Sequence, residues 1–342
     1  MGLFTACILL MSAAIAVDEQ RDLEVGGATL HVHIRGADTG NPYALYLHGG
    51  PGYSALPFMA TAGPELERSL TVVYLDQRGC GLSSPLTPAG AKAYSIERLV
   101  RDIEAVREEL GIEKWAVIGH AWGGLLGLHY VTQYPERVSC FINISGLVSV
   151  PIMTDDVLDN AASKAKQWLK EGSEGEKVRA KVIQEQVNSL RKMSQSDPRR
   201  LAGAYVLALG DAQLYFHDPN SSTVLRELRK LKSEAEKYKI PIEKLDLSAA
   251  VSTALVQNES FHTMDVSPLL KKVSVPTLLI GGRSDGVVTT RQLEIARRFI
   301  KGAQFEILDE CGHFAFYEQP QKLMLAILRF LPRADWRRPG SD

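Results

Sequence analysis

Two kinds of hydrophobic pattern alternate along the first 150 residues. Short, almost wholly apolar runs at 44–47, 71–75, 115–118 and 138–144 have the length and composition of strands covered on both faces. At 96–110 the apolar residues Ile96, Leu99, Val100, Ile103, Val106 and Leu110 recur at helical spacing. Ser95 stands where an N-cap belongs and Gly111 where the helix stops. A second helix-like run covers 125–134. Ahead of these, Leu30, Val32 and Ile34 alternate with polar residues within 29–35, which predicts a half-buried strand after the Gly26-Gly27 turn. His31 and His33 share its other face and read as surface histidines, with no third ligand nearby to suggest a metal.

The pattern changes after Gly146. Over 151–268 no run reads as a buried strand; polar helices rich in Lys, Glu and Gln are punctuated by Gly172, Pro198, Pro219 and Pro241. Strand character returns at 275–280, closed by Gly281-Gly282, followed by a helix at 290–300, a strand at 304–308 and a closing helix at 320–330. Strand, helix, strand alternation predicts an α/β protein: a mostly parallel, doubly wound sheet, with sites beyond the carboxyl ends of its strands. The expected organisation is an apolar N-terminal segment over 1–22, a sheet core over 23–150 and 269–332, a helical cap over 151–268, and a loose tail over 333–342.

Composition narrows the function classes. With 342 residues, 45% of them hydrophobic, and a net charge of −1, the chain can bury a large core and carries no field to attract nucleic acid or an anionic membrane. A small-molecule substrate is the partner to expect, and the composition says nothing of oligomeric state. Cys7, Cys80, Cys140 and Cys311 have neither zinc-site nor disulfide-framework spacing, so reduced, isolated thiols are expected. The stretch 2–17 is apolar and ends in Ala14-Ile15-Ala16, as an export signal does, but no Lys or Arg precedes it. A cytoplasmic protein whose N-terminus packs on the fold and an exported one both fit.

The chemistry gathers around Val117-Ile118-Gly119-His120-Ala121-Trp122-Gly123-Gly124. A strand enters this stretch and a helix leaves it, the layout of a nucleophile elbow, where Gly-x-Ser-x-Gly holds a serine hydroxyl over the sheet. Ala121 occupies the serine's place and offers no oxygen. Three further loops follow predicted strands. In His48-Gly49-Gly50-Pro51-Gly52, the Gly50 amide can pair with that of Trp122 as an oxyanion hole. Asp285 follows the strand at 275–280 and His313 the strand at 304–308, giving elbow, acid and histidine in the order of a hydrolase triad. In Asp76-Gln77-Arg78-Gly79-Cys80-Gly81-Leu82-Ser83-Ser84, Asp76 and Arg78 are suited to tying loops together. Ser83 and Ser84 lie on no strained turn facing a base, so neither replaces the absent nucleophile. His48, His120, Tyr215 and Phe216 are the candidate substrate contacts, the last two from the one cap stretch, 210–217, that mixes aromatic and polar residues.

Taken together, the 48–52, 76–81 and 119–124 motifs resemble the α/β-hydrolase family around proline iminopeptidases, over about 23–150 and 269–331. The resemblance implies an α/β-hydrolase fold with a helical cap, no cofactor or metal, a serine at the position of Ala121, and the roles just given for Gly50, Trp122, Asp285 and His313. Two departures stand out. Alanine at 121 should abolish acyl-enzyme chemistry, and the tryptophan-rich setting with which iminopeptidases hold a free amine through cap carboxylates is absent from 151–268. Asp211, Asp218 and Glu259 are acids available there, each with a plainer reading as a turn or helix-surface residue. Relatives in this family include esterases and lactonases, among them enzymes that open macrolide rings. An ester or lactone hydrolase in nucleophile-to-alanine form is therefore the main expectation. A prolyl aminopeptidase, a non-catalytic binding homologue, and a cofactor-free enzyme using His313 as general base are the alternatives.

Overall fold

The computed structural model describes residues 16–92 and 94–336, apart from the side chain of Glu259. All but the last two residues of the candidate export signal over 2–17, Cys7 and most of the tail, including Arg337, Arg338, Pro339 and Gly340, lie outside the described residues.

Eight strands form one sheet in the order β1-β2-β4-β3-β5-β6-β7-β8. They are β1 (Val17–Val25), β2 (Ala28–Gly36), β3 (Tyr43–Leu47), β4 (Thr71–Leu75), β5 (Trp115–His120), β6 (Val138–Ile144), β7 (Thr277–Gly282) and β8 (Gln304–Leu308). The pairs β1/β2 and β2/β4 are antiparallel and the rest parallel. The apolar runs do become the central strands, and their alternation divides the core. Leu45, Leu47, Val73, Leu75, Val117 and Phe141 face one apolar cluster, while Ala44, Tyr46, Val72, Tyr74, Ile118 and Ile142 face the other. Burial on both faces is what a parallel sheet under helices requires.

Sequence pattern missed β1. Its VDEQRDLEV is too polar to look like a strand, because β1 is an antiparallel edge with most of its side chains partly or fully exposed. The expected boundary at residue 22 therefore falls inside a strand. Strand β7 starts at Thr277, two residues later than expected, with Pro276 just ahead of it, where the missing N–H removes no ladder bond.

Helices α1 (Ile96–Glu109) and α2 (Trp122–Gln133) pack on the sheet. Ser95 accepts from the Arg98 amide as N-cap of α1. Helices α3 (Val150–Glu171), α4 (Glu174–Arg191), α5 (Pro198–Leu209), α6 (Ala212–Tyr215), α7 (Ser222–Lys237), α8 (Ala249–Val256) and α9 (Glu259–His262) make up the insertion. Helices α10 (Thr290–Phe299) and α11 (Pro320–Phe330) flank the last strands. The insertion leaves and re-enters at one point: Ser149 bridges Asp265, and the buried Gln292 side chain on α10 accepts from the amides of Val148 and Ser149, both at 2.8 Å. One side-chain amide thus satisfies two backbone donors that would otherwise be orphaned on burial.

The insertion is not a single lid. Helix α7 packs on the core instead, with Val224 and Ala235 in the cluster that also holds Phe58. It is tied to β1 and β2 by polar contacts: Glu234 lies 3.6 Å from Arg35, and Lys237 and Tyr238 reach Asp18 at 3.3 and 2.8 Å. His31 and His33, expected at the surface, are buried in this region and paired with Asp22 and Asp18 at 2.8 and 2.7 Å. The flanking strand β1 and the ring of Tyr238, edge-on to His33 at 4.4 Å, cover them. Burial holds the His33 imidazole below its usual range despite Asp18.

This network generates a pH prediction. Burial raises the Asp18 carboxyl, but hydrogen bonds from His33, Tyr238 and Lys237 outweigh it and bring the group down to about 2. A carboxylate depressed in the folded state contributes stability that is present above its unfolded value of about 3.9. That contribution is lost as pH falls through the folded value. Asp18→Asn is expected to flatten the decline of Tm between about pH 4 and pH 2 in scanning calorimetry; identical slopes for the two proteins would show that the network contributes nothing.

Candidate active site

The parallel register aligns the carboxyl ends of six strands. Leu47 pairs with Leu75 and Gly119, His120 with Ile144, Ile144 with Ile280, and Gly282 with Leu308. The loops that follow carry Gly50, Ala121, Asp285 and His313, so residues up to 263 positions apart along the chain emerge at one edge.

Ala121 joins β5 to α2 with φ 51° and ψ −114°. A residue with a Cβ is strained there by about 1–3 kcal/mol and stays only where its surroundings over-determine it. They do so here. The Ala121 amide donates to Ile144 O at 3.0 Å, and its carbonyl accepts from Gly124 and Leu147, each at 3.0 Å. The turn also needs glycine on either side: a Cβ on Gly119 would stand 2.4 Å from Gly123 O, and one on Gly123 2.1 Å from Leu47 O. The backbone is that of an elbow presenting a nucleophile, although the side chain is a methyl group.

His313 and Asp285 meet. His313 Nδ1 lies 2.8 Å from Asp285 Oδ2, while Asp285 Oδ1 accepts from the amides of Val287 and Val288, both at 2.9 Å. With Oδ1 taken by two backbone donors, Oδ2 accepts the ring proton from Nδ1, and Nε2 keeps its lone pair. Both side chains are almost wholly buried. His313 and Ala121 line one cavity of about 40 Å³, together with Gly50 and Trp122. Neither the Gly50 nor the Trp122 amide donates to another group among the described residues. Trp122 opens α2, where first-turn amides lack intrahelical acceptors. The two donors are thus available for an oxygen that becomes negative, and His313 for the proton of whatever attacks.

Tyr215 and His120 also line this cavity, but two expected contacts do not. His48 is buried behind the loop: its Nε2 accepts from the Gln77 amide at 3.1 Å, so its proton lies on Nδ1 and is donated to Gly49 O at 2.9 Å. Burial pushes the imidazole below its usual range, and as a neutral ring it braces the Gly50 loop. Phe216 packs on Phe314 and Tyr317 outside the wall. Backbone alternation turns it away from the side that Tyr215 takes. His120 positions rather than binds. Its Nε2 donates to His313 O at 3.0 Å, and burial, followed by the nearby His313, holds it well below its usual range and therefore neutral.

Sequence reasoning missed several residues that build the site. Gln77 donates to His48 O at 2.8 Å and accepts from Trp122 Nε1 at 3.0 Å, coupling the Gly50 loop to the elbow. Glu318 takes the Gly312 amide on one oxygen and the His217 and Asp218 amides on the other, joining the His313 loop to the cap. The end of cap helix α6 is stitched in further: Gly286 donates to Leu214 O and His313 to Tyr215 O. Gln77 was visible inside its motif, whereas a lone Glu318 carried no signal. Asp76 and Arg78 do tie loops. Asp76 accepts from the Ala55 and Leu82 amides at 2.8 and 2.7 Å, and Arg78 forms a buried two-pronged pair with Asp102, both bonds at 2.7 Å. Ser83 bonds His31 and Asp76 backbone groups and Ser84 receives the Thr29 amide, so both are structural.

The cavity wall is apolar elsewhere, with Leu147, Met153, Val157 and Phe261 among its residues, and no carboxylate of the described side chains reaches it. Asp211 pairs with Lys164 at 2.5 Å and Asp218 caps its own turn. The Glu259 side chain is outside the described residues. Among the described residues no cluster of His, Cys, Asp or Glu is arranged to hold a metal, and Cys80, Cys140 and Cys311 are buried and unpaired. No helix among them is long and apolar enough to cross a membrane.

Known proteins resemble this chain in sequence and in fold. A family model described as alpha/beta hydrolase fold matches residues 45–320. The proline iminopeptidase of Neisseria gonorrhoeae is 30% identical over 315 residues, covering 86% of this chain and 92% of its own. That of Saccharolobus solfataricus is 25% identical, covering 89% of each chain. The crystal structure of a proline iminopeptidase-related protein from Thermus thermophilus shares the fold, with a TM-score of 0.69 and 23% identity over 93% of this chain and 99% of that one.

Strain at the elbow is measurable. Glycine normally costs stability relative to alanine, but at φ 51° it removes the Cβ clash. Ala121→Gly is expected to raise the unfolding free energy by about 1 kcal/mol in denaturant titration; a loss would show that the elbow is relaxed.

Proposed function

We propose, for a chain that belongs to the α/β-hydrolase fold family, that its site is an acyl-transfer apparatus of the proline iminopeptidase-like kind with alanine in the nucleophile's place. The observation that carries this reading is the elbow backbone of Ala121, kept under strain in the same cavity as the two free amides and His313, which Asp285 holds from outside that cavity. With a serine hydroxyl at 121, His313 would take its proton as the oxygen attacks a carbonyl, and Asp285 would stabilise the imidazolium. The amides of Gly50 and Trp122 would receive the oxyanion, and His313 would return the proton to the leaving group. With alanine, the chain binds such a compound and does not form the acyl-enzyme. Loss of a triad nucleophile costs about a millionfold in turnover.

For the substrate, the relatives support removal of an N-terminal proline from a peptide: a relative 30% identical across most of the chain bears that activity in its name. This is better supported than ester or lactone cleavage. One observation favours the second reading, namely that no described carboxylate reaches the cavity. An ammonium buried in an apolar wall without a counter-charge is costly, whereas a neutral ester is not. Nothing supports a macrolide-sized ring in a cavity of about 40 Å³.

Ala121→Ser is the test, assayed with a prolyl arylamide, an aryl butyrate and a small lactone. Turnover is expected to rise by several orders of magnitude on at least one of them, and to vanish again when His313→Ala is added. Preference for the arylamide selects the first reading. On this wall its kcat/KM is expected to rise with pH through the substrate amine's own pKa, because the neutral amine is the form that binds. Preference for the butyrate or lactone selects the second. A folded Ala121→Ser protein that hydrolyses none of the three overturns the proposal.

A further inference from the structure

The inner cavity is tight. Its space of about 40 Å³ holds a few waters at roughly 10–15 Å³ of such space each, less than an extended substrate fills. Beside it, between α5 and α8, lies an apolar groove of about 280 Å³. Pro51, Tyr205, Leu209, Leu247 and Phe261 belong to the walls of both spaces. The partition is thus shared side chains, not backbone layers.

Tyr205 is the member of that partition held by a specific bond. It projects from α5, and its hydroxyl donates to Gly50 O at 2.6 Å. The ring is thereby latched to the loop that carries the unbonded Gly50 amide. Of its neighbours on α5 that line the two spaces, Ala202, Ala204 and Ala208 are small and Leu209 is smaller than tyrosine, so the ring is the largest obstacle this helix offers. The groove beyond it is lined by Leu255 and Val256 of α8, with Ser252 and Thr253 at its polar margin.

We propose that Tyr205 is a gate and a specificity-determining residue. Swinging it off Gly50 O joins the cavity and the groove into one elongated trough for a neutral, extended substrate. The reacting carbonyl and a small apolar group sit at the elbow, and an apolar chain lies along α8. The occupant of the groove is thus the remote half of the substrate itself, because the groove is continuous with the site through shared walls. The assignment of the reacting end to the inner cavity rests on the acyl-transfer reading above; the gate and the trough do not.

The chain as it stands is suited to the test, since binding can be followed without turnover. Two neutral probes, N-phenylbutanamide and N-phenyldecanamide, are titrated by calorimetry, and association is followed by stopped-flow tryptophan fluorescence. A binding-competent state that is only partly populated lowers apparent affinity by that fraction. Removing one hydrogen bond of typical net strength with Tyr205→Phe is therefore expected to speed association of the decanamide about fivefold and tighten it by a similar factor. Ala202→Trp, which fills the groove from α5, is expected to lower the ratio of decanamide to butanamide affinity at least tenfold. Thermal denaturation verifies that each variant is folded. If both variants leave that ratio and the association rate unchanged, the gate is wrong, whatever Ala121→Ser does in the hydrolysis assay. If the ratio shifts as stated and Ala121→Ser hydrolyses nothing, the trough stands and the acyl-transfer reading falls.

Discussion

At Ala121 the chain is held in a backbone conformation that alanine does not choose. A φ of 51° is maintained by hydrogen bonds to Ile144, Gly124 and Leu147 and by glycines that let α2 close onto β3 and β5. Every other part of the site takes its place relative to this turn. The Trp122 amide is free because the turn starts a helix there, and the Gly50 loop approaches because Gly123 has no side chain to keep Leu47 away. The strain has no use for a methyl group. It is the cost of presenting an atom above the sheet, and here the presented atom is a carbon.

Around the turn, hydrogen bonding leaves one imidazole with a free outer nitrogen, and burial keeps two others neutral. His313 is fixed by a carboxylate whose second oxygen is occupied by two amides, so its outer nitrogen remains available. His48 and His120 are buried with one ring nitrogen on a backbone carbonyl, and desolvation keeps both uncharged. They brace the loops of Gly50 and His313 without competing for a proton. Buried polar groups of this kind hold loops in place because each bond, once made in a low-dielectric interior, is expensive to leave unmade.

The insertion divides its labour in a way that follows from its contacts. Gln292 pins its first residues to the core where Ser149 bridges Asp265, Glu318 and the 214–217 backbone stitch it to the loops of His313 and Asp285, and α7 drops away to pack on the β1/β2 edge. What remains over the elbow is α3, α5 and α9, with Tyr215 of α6, which supply a mostly apolar roof with little internal volume. No charged group of the described side chains lies in that roof, which bears on the charge of any ligand more directly than the fold does.

The sequence by itself determined the strands of the sheet, because runs such as 71–75 and 138–144 are apolar on both faces and can be satisfied only at its centre. It also determined the elbow and its empty position, the order of Asp285 and His313, and the helical nature of 151–268, since glycine spacing and apolar periodicity are local properties. The polar edge strand β1 escaped it, as did the burial of His31 and His33, because both depend on partners that chain order does not reveal. Tertiary structure alone decided that His48 faces a loop and not the cavity, that Phe216 turns away while Tyr215 turns in, and that Gln77, Glu318 and Tyr205 belong to the site. Each of those outcomes is a contact between residues from 29 to 155 positions apart or a side-chain direction set by such contacts, and no local pattern encodes either.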